Sequence, residues 1–139
     1  PGYVTITAEM VHDTRIVKIA DERSAAAETH RKWMGDAIGH WEGDTLVVET
    51  KYFNNWHTLR GMPVNNMTVT ETFSRESGNK LIYGFTVDDP TLFTSTFSGE
   101  YPLSRINKPI YEYACHEGNY GMIGILAGAR KLEELDSED

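Results

Sequence analysis

Residues 67–87, MTVTETFSRESGNKLIYGFTV, decide the fold of this chain. Met67, Val69, Glu71 and Phe73 alternate with Thr68, Thr70, Thr72 and Ser74, the period of two that sends successive side chains to opposite faces of a strand. The polar turn Glu76-Ser77-Gly78-Asn79 follows, and residues 81–87 resume the alternation with Leu81, Tyr83, Phe85 and Val87 on one face. The stretch reads as a β-hairpin. Its apolar face carries one carboxylate, Glu71, which is expected to point inward.

Hairpin signals recur on both sides. Residues 3–11 and 14–20 are β-branched runs separated by His12-Asp13, and residues 38–41 and 45–53 flank the turn Glu42-Gly43-Asp44. Residues 93–103 follow the turn Asp88-Asp89-Pro90, and residues 110–115 follow Ile106-Asn107-Lys108-Pro109. Residues 21–34 change character: Ser24 can cap and alanines follow, which predicts a short helix or helical loop. Residues 54–66 have no period and form a long loop carrying Trp56, His57 and Arg60, a kind of segment that is often functional. Residues 118–130 are apolar, but Gly118, Gly121, Gly124 and Gly128 argue against a rigid helix. Residues 131–139 form an acidic tail expected to fray.

Strands joined by short turns predict a mainly β fold. The expected form is an antiparallel meander closing into a small lipocalin-like β-barrel with one short helical insert, a single domain over residues 1–130. A chain of 139 residues can bury roughly two thirds of its unfolded surface without disulfides or metal, and the lone Cys115 excludes an intrachain disulfide framework. With 13 Lys and Arg against 21 Asp and Glu, the net charge of −8 repels phosphate backbones and anionic membranes, so no nucleic-acid partner is expected. No apolar run approaches the ~18 residues of a membrane span. Open strand edges and the apolar residues 122–126 need cover, which favours a homodimer. A start at Pro1 reads as a chain processed or trimmed upstream.

The chemistry gathers at two places. Val4, Ile6, Ala8 and Met10 continue in phase to His12, which places this imidazole at the rim of the interior that Glu71 enters. At the other end of the chain, the strand Ile110 to Cys115 runs into His116-Glu117-Gly118-Asn119, two titratable groups beside a backbone free to bend. His12, Glu71 and His116 are therefore the candidate acid–base groups. Tyr83, Phe85, Phe97 and Tyr101 line the interior, Tyr83 or Tyr113 serves as a hydrogen-bond donor, and Trp56, His57 and Arg60 in the long loop complete a small-molecule site. The competing reading of Glu71 is a structural ion pair with Arg15, Arg60 or Arg105. No Gly-x-Ser-x-Gly elbow, dinucleotide glycine pattern or His-Glu-x-x-His motif is present, and no spacing demands a metal, so neither cofactor nor metal is expected.

Two function classes follow. One is a cofactor-independent acid–base enzyme, a lyase, isomerase or hydrolase, acting on a small, partly apolar molecule. The other is a non-catalytic binding barrel whose polar groups only orient a ligand. Convergence of the carboxylate and the imidazoles around one cavity would favour the enzyme, and dispersal the binding barrel.

The string Trp33-Met34-Gly35-Asp36-Ala37-Ile38-Gly39-His40-Trp41-Glu42-Gly43-Asp44-Thr45-Leu46-Val47-Val48-Glu49-Thr50, with Val69-Thr70-Glu71-Thr72-Phe73, Val87-Asp88-Asp89-Pro90 and Glu112-Tyr113-Ala114-Cys115-His116-Glu117-Gly118-Asn119, resembles a large group of bacterial β-barrel proteins of uncharacterised activity. The similarity covers residues 2–130. It implies an exported or periplasmic protein of which this is the C-terminal barrel, and it brings no reaction with it.

Overall fold

Strand β4 (Thr45–Lys51) buries every second residue, Leu46, Val48 and Thr50, and lies at the centre of the sheet. The computed structural model describes residues 2–113 and 120–136. Around β4 it arranges β1 (Tyr3–Thr7), β2 (Thr14–Ile19), β3 (Asp36–Glu42), β7 (Thr68–Ser77), β8 (Lys80–Asp88) and β9 (Phe97–Ser104) in the order β1-β2-β3-β4-β7-β8-β9. Strands β5 (Thr58–Leu59) and β6 (Met62–Pro63) form a separate two-stranded ribbon inside the long loop. The seven-stranded sheet curls into a half-barrel, with β1 and β9 as its edges among the described residues. The fold is thus mainly β, and the hairpin over residues 67–87 pairs as its alternation demands, with Glu71 opposite Phe85 and Phe73 opposite Tyr83.

Four details differ from the sequence expectation. First, β2 and β3 pair in parallel, Lys18 with Ile38 and Ile19 with Gly39, so the sheet is not a pure meander. A parallel neighbour needs a crossover of a dozen residues or more, and residues 20–35 supply it. Second, that crossover consists of turns and bends rather than the expected helical insert. Here Arg23 and Arg31 hold the chain by side-chain bonds instead: Arg31 donates to the carbonyls of Phe53 at 3.2 Å and Asn65 at 2.7 Å. Third, the helix is C-terminal. Helix α1 (Tyr120–Asp136) runs through Gly121, Gly124 and Gly128, with residues from Gly121 onward exposed. The glycines lower helix propensity without abolishing it, because Met122, Leu126, Ala127 and Ala129 are strong helix formers. Fourth, residues 110–113 are not a strand, and Ala114 and Cys115 lie outside the described residues.

The core lies on the concave face. Val17 and Val48 are fully buried with Ala37 and Leu46, and Val4, Ile6, Ile19 and Phe73 pack against them. Burying each such side chain contributes about 1.5–3 kcal/mol. Gly35 turns the chain into β3 with φ of +71°, and a Cβ there would stand 2.6 Å from Cγ2 of Thr50. Asp89 is buried after β8, where its Oδ1 accepts from the backbone N–H of Thr91 at 2.9 Å and from the Thr91 hydroxyl at 2.6 Å. This fixes the turn that follows. Among the described residues no helix is long and apolar enough to cross a membrane.

Candidate ligand-binding site

Arg15 shares its face of β2 with Val17 and Ile19, and Glu71 shares its face of β7 with Val69 and Phe73. Two strands, β3 and β4, separate them in the sheet. At about 4.8 Å per strand, a flat sheet would hold them some 14 Å apart with side chains perpendicular to it. The curl brings them together. Arg15 donates twice, from Nη1 to Oε2 and from Nη2 to Oε1 of Glu71, at 2.5 and 2.8 Å. The Tyr83 hydroxyl donates to Oε1 at 2.8 Å. Glu71 retains only 3 % of its exposure, so this fork is the charge-assisted pairing that a buried carboxylate requires. The hydrogen bonds that Arg15 donates to Glu71 raise its pKa above the ordinary value, against the opposing effect of burial. Burial first, and then the bond to Glu71, push the Tyr83 phenol well above its usual range.

From this anchor an aromatic row crosses β7, β8 and β9. Phe73 and Tyr83 have ring centroids 5.0 Å apart, Tyr83 and Tyr101 5.1 Å, Tyr83 and Phe85 6.1 Å, Phe85 and Phe97 6.4 Å, and Phe97 and Phe93 5.1 Å. These are the separations at which offset and edge-to-face pairs are favourable. Gly99 sits opposite Phe85, and a Cβ there would stand 2.7 Å from the ring, so the ring lies across a position that only glycine leaves open. Phe97 is 42 % exposed and Tyr101 48 %, so the outer half of the row faces solvent. Two separate hollows lie against the sheet, and Arg15 lines one of them. One, of about 390 Å³, is lined by Arg15, Lys32, Met34, Gly35 and Ala37 among others. The other, of about 250 Å³, is lined by Val4, Ile6, Trp41, Leu46, Phe73 and Leu81. The hollow beside Arg15 is of a size with small-ligand sites.

The structure thus gathers Glu71, Tyr83, Phe85, Phe97 and Tyr101 on one face of the sheet, and Arg15, one of the three cations weighed as a partner for Glu71, is the one that binds it. Of the expected imidazoles, His12 lies in the 3-10 turn Met10–His12 with φ of 59°, and its Nε2 accepts the backbone N–H of Tyr113 at 3.0 Å. Its other neighbour is the Tyr113 ring, 6.4 Å away. His57 is placed elsewhere: it stacks on Trp33 at 5.1 Å, meets Phe53 edge-on at 5.5 Å, and its Nδ1 lies 2.7 Å from the Trp33 carbonyl. Trp56 is 83 % exposed beside it, and Arg60 is exposed with φ of 51° at the tip of the β5–β6 ribbon. His116 lies outside the described residues. No group of three or more His, Cys, Asp or Glu is arranged to hold a metal among the described residues.

Sequence reading did not find Arg23, the second organising cation. It donates to Asp36 Oδ2 at 2.9 Å, Glu49 Oε1 at 3.0 Å, the Glu49 carbonyl at 3.0 Å and the Asp36 carbonyl. Burial raises the pKa of both carboxyls, but the bonds from Lys32 and Arg23 outweigh it at Asp36 and those from Lys51 and Arg23 at Glu49, so both end below their ordinary values. The only sequence signal was an arginine in a segment otherwise read as helical. No family model, no curated protein and no solved structure matches this chain.

Proposed function

We propose that the protein is a non-catalytic binding half-barrel that holds a small, partly apolar, ring-bearing molecule in its lipocalin-like concave trough. The observation that carries this reading is the Arg15–Glu71–Tyr83 anchor at the foot of a half-exposed aromatic row. Rings stack on Tyr101, Phe97 and Phe85, while the N–H groups of Arg15 not spent on Glu71 orient a polar substituent. The acid–base enzyme expected from sequence needs Glu71 as a proton acceptor. Its carboxylate instead takes three hydrogen bonds, and His12 and His57 are engaged apart from it, with Tyr113 and Trp33, a dispersal that supports binding over catalysis. In this reading the protein is also a homodimer.

The test is native mass spectrometry of the gently purified protein for a co-purifying molecule, with fluorescence titration of anilinonaphthalene sulfonate as a defined probe. Saturable probe binding that Tyr101→Ala and Phe97→Ala each weaken roughly 2- to 10-fold is the expected result. Probe binding indifferent to both substitutions, with no co-purifying mass, overturns the reading.

A further inference from the structure

The two edges of the sheet differ in kind. β9 carries Glu100 and Pro102, a charge and a residue without an N–H, and both discourage edge-to-edge pairing. β1, Tyr-Val-Thr-Ile-Thr, carries neither. Its ladder to β2 shows which groups remain free. The N–H of Ile19 donates to the carbonyl of Gly2 at 2.9 Å, and that of Ala8 donates to the carbonyl of Asp13 at 2.8 Å. These pairs share one register with Val4↔Val17 and Ile6↔Arg15. Hydrogen-bonded and non-bonded pairs alternate in an antiparallel ladder. Even-numbered residues therefore spend their backbone groups on β2, and Tyr3, Thr5 and Thr7 turn theirs outward. No strand lies beyond β1 among the described residues.

We propose that β1 is a self-association edge, to which a second copy of this chain adds its own β1 antiparallel about a twofold axis through Thr5. Thr5 then faces its own copy and Tyr3 faces Thr7 on either side, and each facing pair exchanges two N–H···O=C bonds. The side-chain pattern suits this register. Val4 meets Ile6 across the seam on the concave side, and residues 2–8 contain no charge, so self-pairing opposes no like charges. On the convex side Tyr3 and Ile16 are 62 % and 65 % exposed, an apolar margin that a partner would cover. The axis stands perpendicular to the sheet, so both troughs open on the same side and their Val4 and Ile6 margins become continuous. The seam leaves the Arg15–Glu71 pair untouched, which makes dimerisation and ligand binding separable.

Sedimentation equilibrium of the full chain tests this with three variants. Thr5→Lys sets like charges against each other on the axis. Thr5→Pro removes an outward N–H that β2 does not use, on an edge where proline is tolerated. Leu103→Lys places the same charge on β9, at the opposite edge of the sheet. The expected result is a wild-type dimer whose dissociation constant rises at least about tenfold in both Thr5 variants and is unchanged in Leu103→Lys. Amide exchange gives a second readout, should Thr5→Pro fail to fold. In the wild type the Thr5 amide is protected in proportion to dimer, and in Thr5→Lys it exchanges freely while Val4 and Ile6 stay protected. A wild-type monomer at about 100 µM, a dimer that Thr5→Lys leaves intact, or a dimer lost only in Leu103→Lys overturns the proposal.

Discussion

Tyr83 is the diagonal cross-strand neighbour of Glu71, opposite Phe73 rather than Phe85's partner, and from there its hydroxyl reaches Oε1 at 2.8 Å. The bond helps to satisfy a carboxylate that solvent does not reach. Tyr83→Phe keeps the ring in the aromatic row and deletes the donor, at a cost of about 1.5–3 kcal/mol, the worth of a hydrogen bond to a charged group. Because the folded state raises the phenol pKa, the stabilisation is fully present below the unfolded value near 10 and is lost as pH rises beyond it. Urea denaturation between neutral pH and pH ~11 should show an alkaline decline in the wild type that is flatter in Tyr83→Phe. Equal slopes would remove Tyr83 from this role.

Glu71→Gln separates a structural carboxylate from a catalytic one. The amide leaves Arg15 in place with its counter-charge gone, and the loss of stability should be on the order of 3 kcal/mol. Replacing both partners, Arg15→Met with Glu71→Met, should recover most of it, since an apolar pair of similar volume strands no charge. Chemical denaturation of Arg15→Met, Glu71→Met and the double variant forms the double-mutant cycle. A thermally silent Glu71→Gln would show that the pair does not hold the sheet in its curl.

The Arg23 cluster governs the acid limb. Asp36 and Glu49 have folded pKa values below their unfolded ones, so their contribution is present above roughly pH 4.5 and is lost as pH falls through the lowered values. Arg23→Met removes the cation that bridges β3 and β4. The variant should be less stable at neutral pH and lose less on acidification than the wild type. Melting curves from pH 7 to pH ~3 give the comparison, and parallel acid limbs would refute it.

Gly99 is fixed by the ring above it. A methyl group 2.7 Å from Phe85 cannot be accommodated without moving either the ring or β9. Gly99→Ala should cost about 1–3 kcal/mol and weaken probe binding together with stability, because Phe85 belongs to the trough. Gly78, where a Cβ meets nothing within 4 Å, is the control position and should tolerate alanine. Equal melting temperatures for the two variants would count against the packing account.

Much of the sheet was legible because half-buried strands alternate. The TVTETF pattern alone put Glu71 on the inward face, and the phase of residues 81–87 put Tyr83 and Phe85 beside it. What alternation does not carry is which strands meet. Nothing in residues 14–19 or 36–42 distinguishes a parallel from an antiparallel neighbour, since either uses the same extended backbone. The choice of Arg15 over Arg60 or Arg105 depends on that pairing and on the curl. Residues 21–34 were misread as helical because Ser24 and three alanines set local propensity, whereas Arg23 and Arg31 fix the segment through contacts distant in sequence. Propensity erred in the opposite direction at residues 120–136, where three glycines were given more weight than the helix formers between and after them.

The parallel joint between β2 and β3 sets the order in which the molecule can be built. Strands β3 and β4, β7 and β8, and β8 and β9 are each joined by local connections and need little loop closure. The β1–β2 hairpin can also form by itself, but it joins the rest through the two register pairs Lys18↔Ile38 and Ile19↔Gly39 and through Arg15, whose partner Glu71 is 56 positions away. Its docking is the high-contact-order step, with folding φ-values expected near zero at Arg15 and larger in the β7–β8 hairpin. Of the hairpins of this sheet, β1–β2 is thus synthesised before the others and docked after them, and until β7 is made its outer edge lacks the Arg15–Glu71 tie that holds it to the rest.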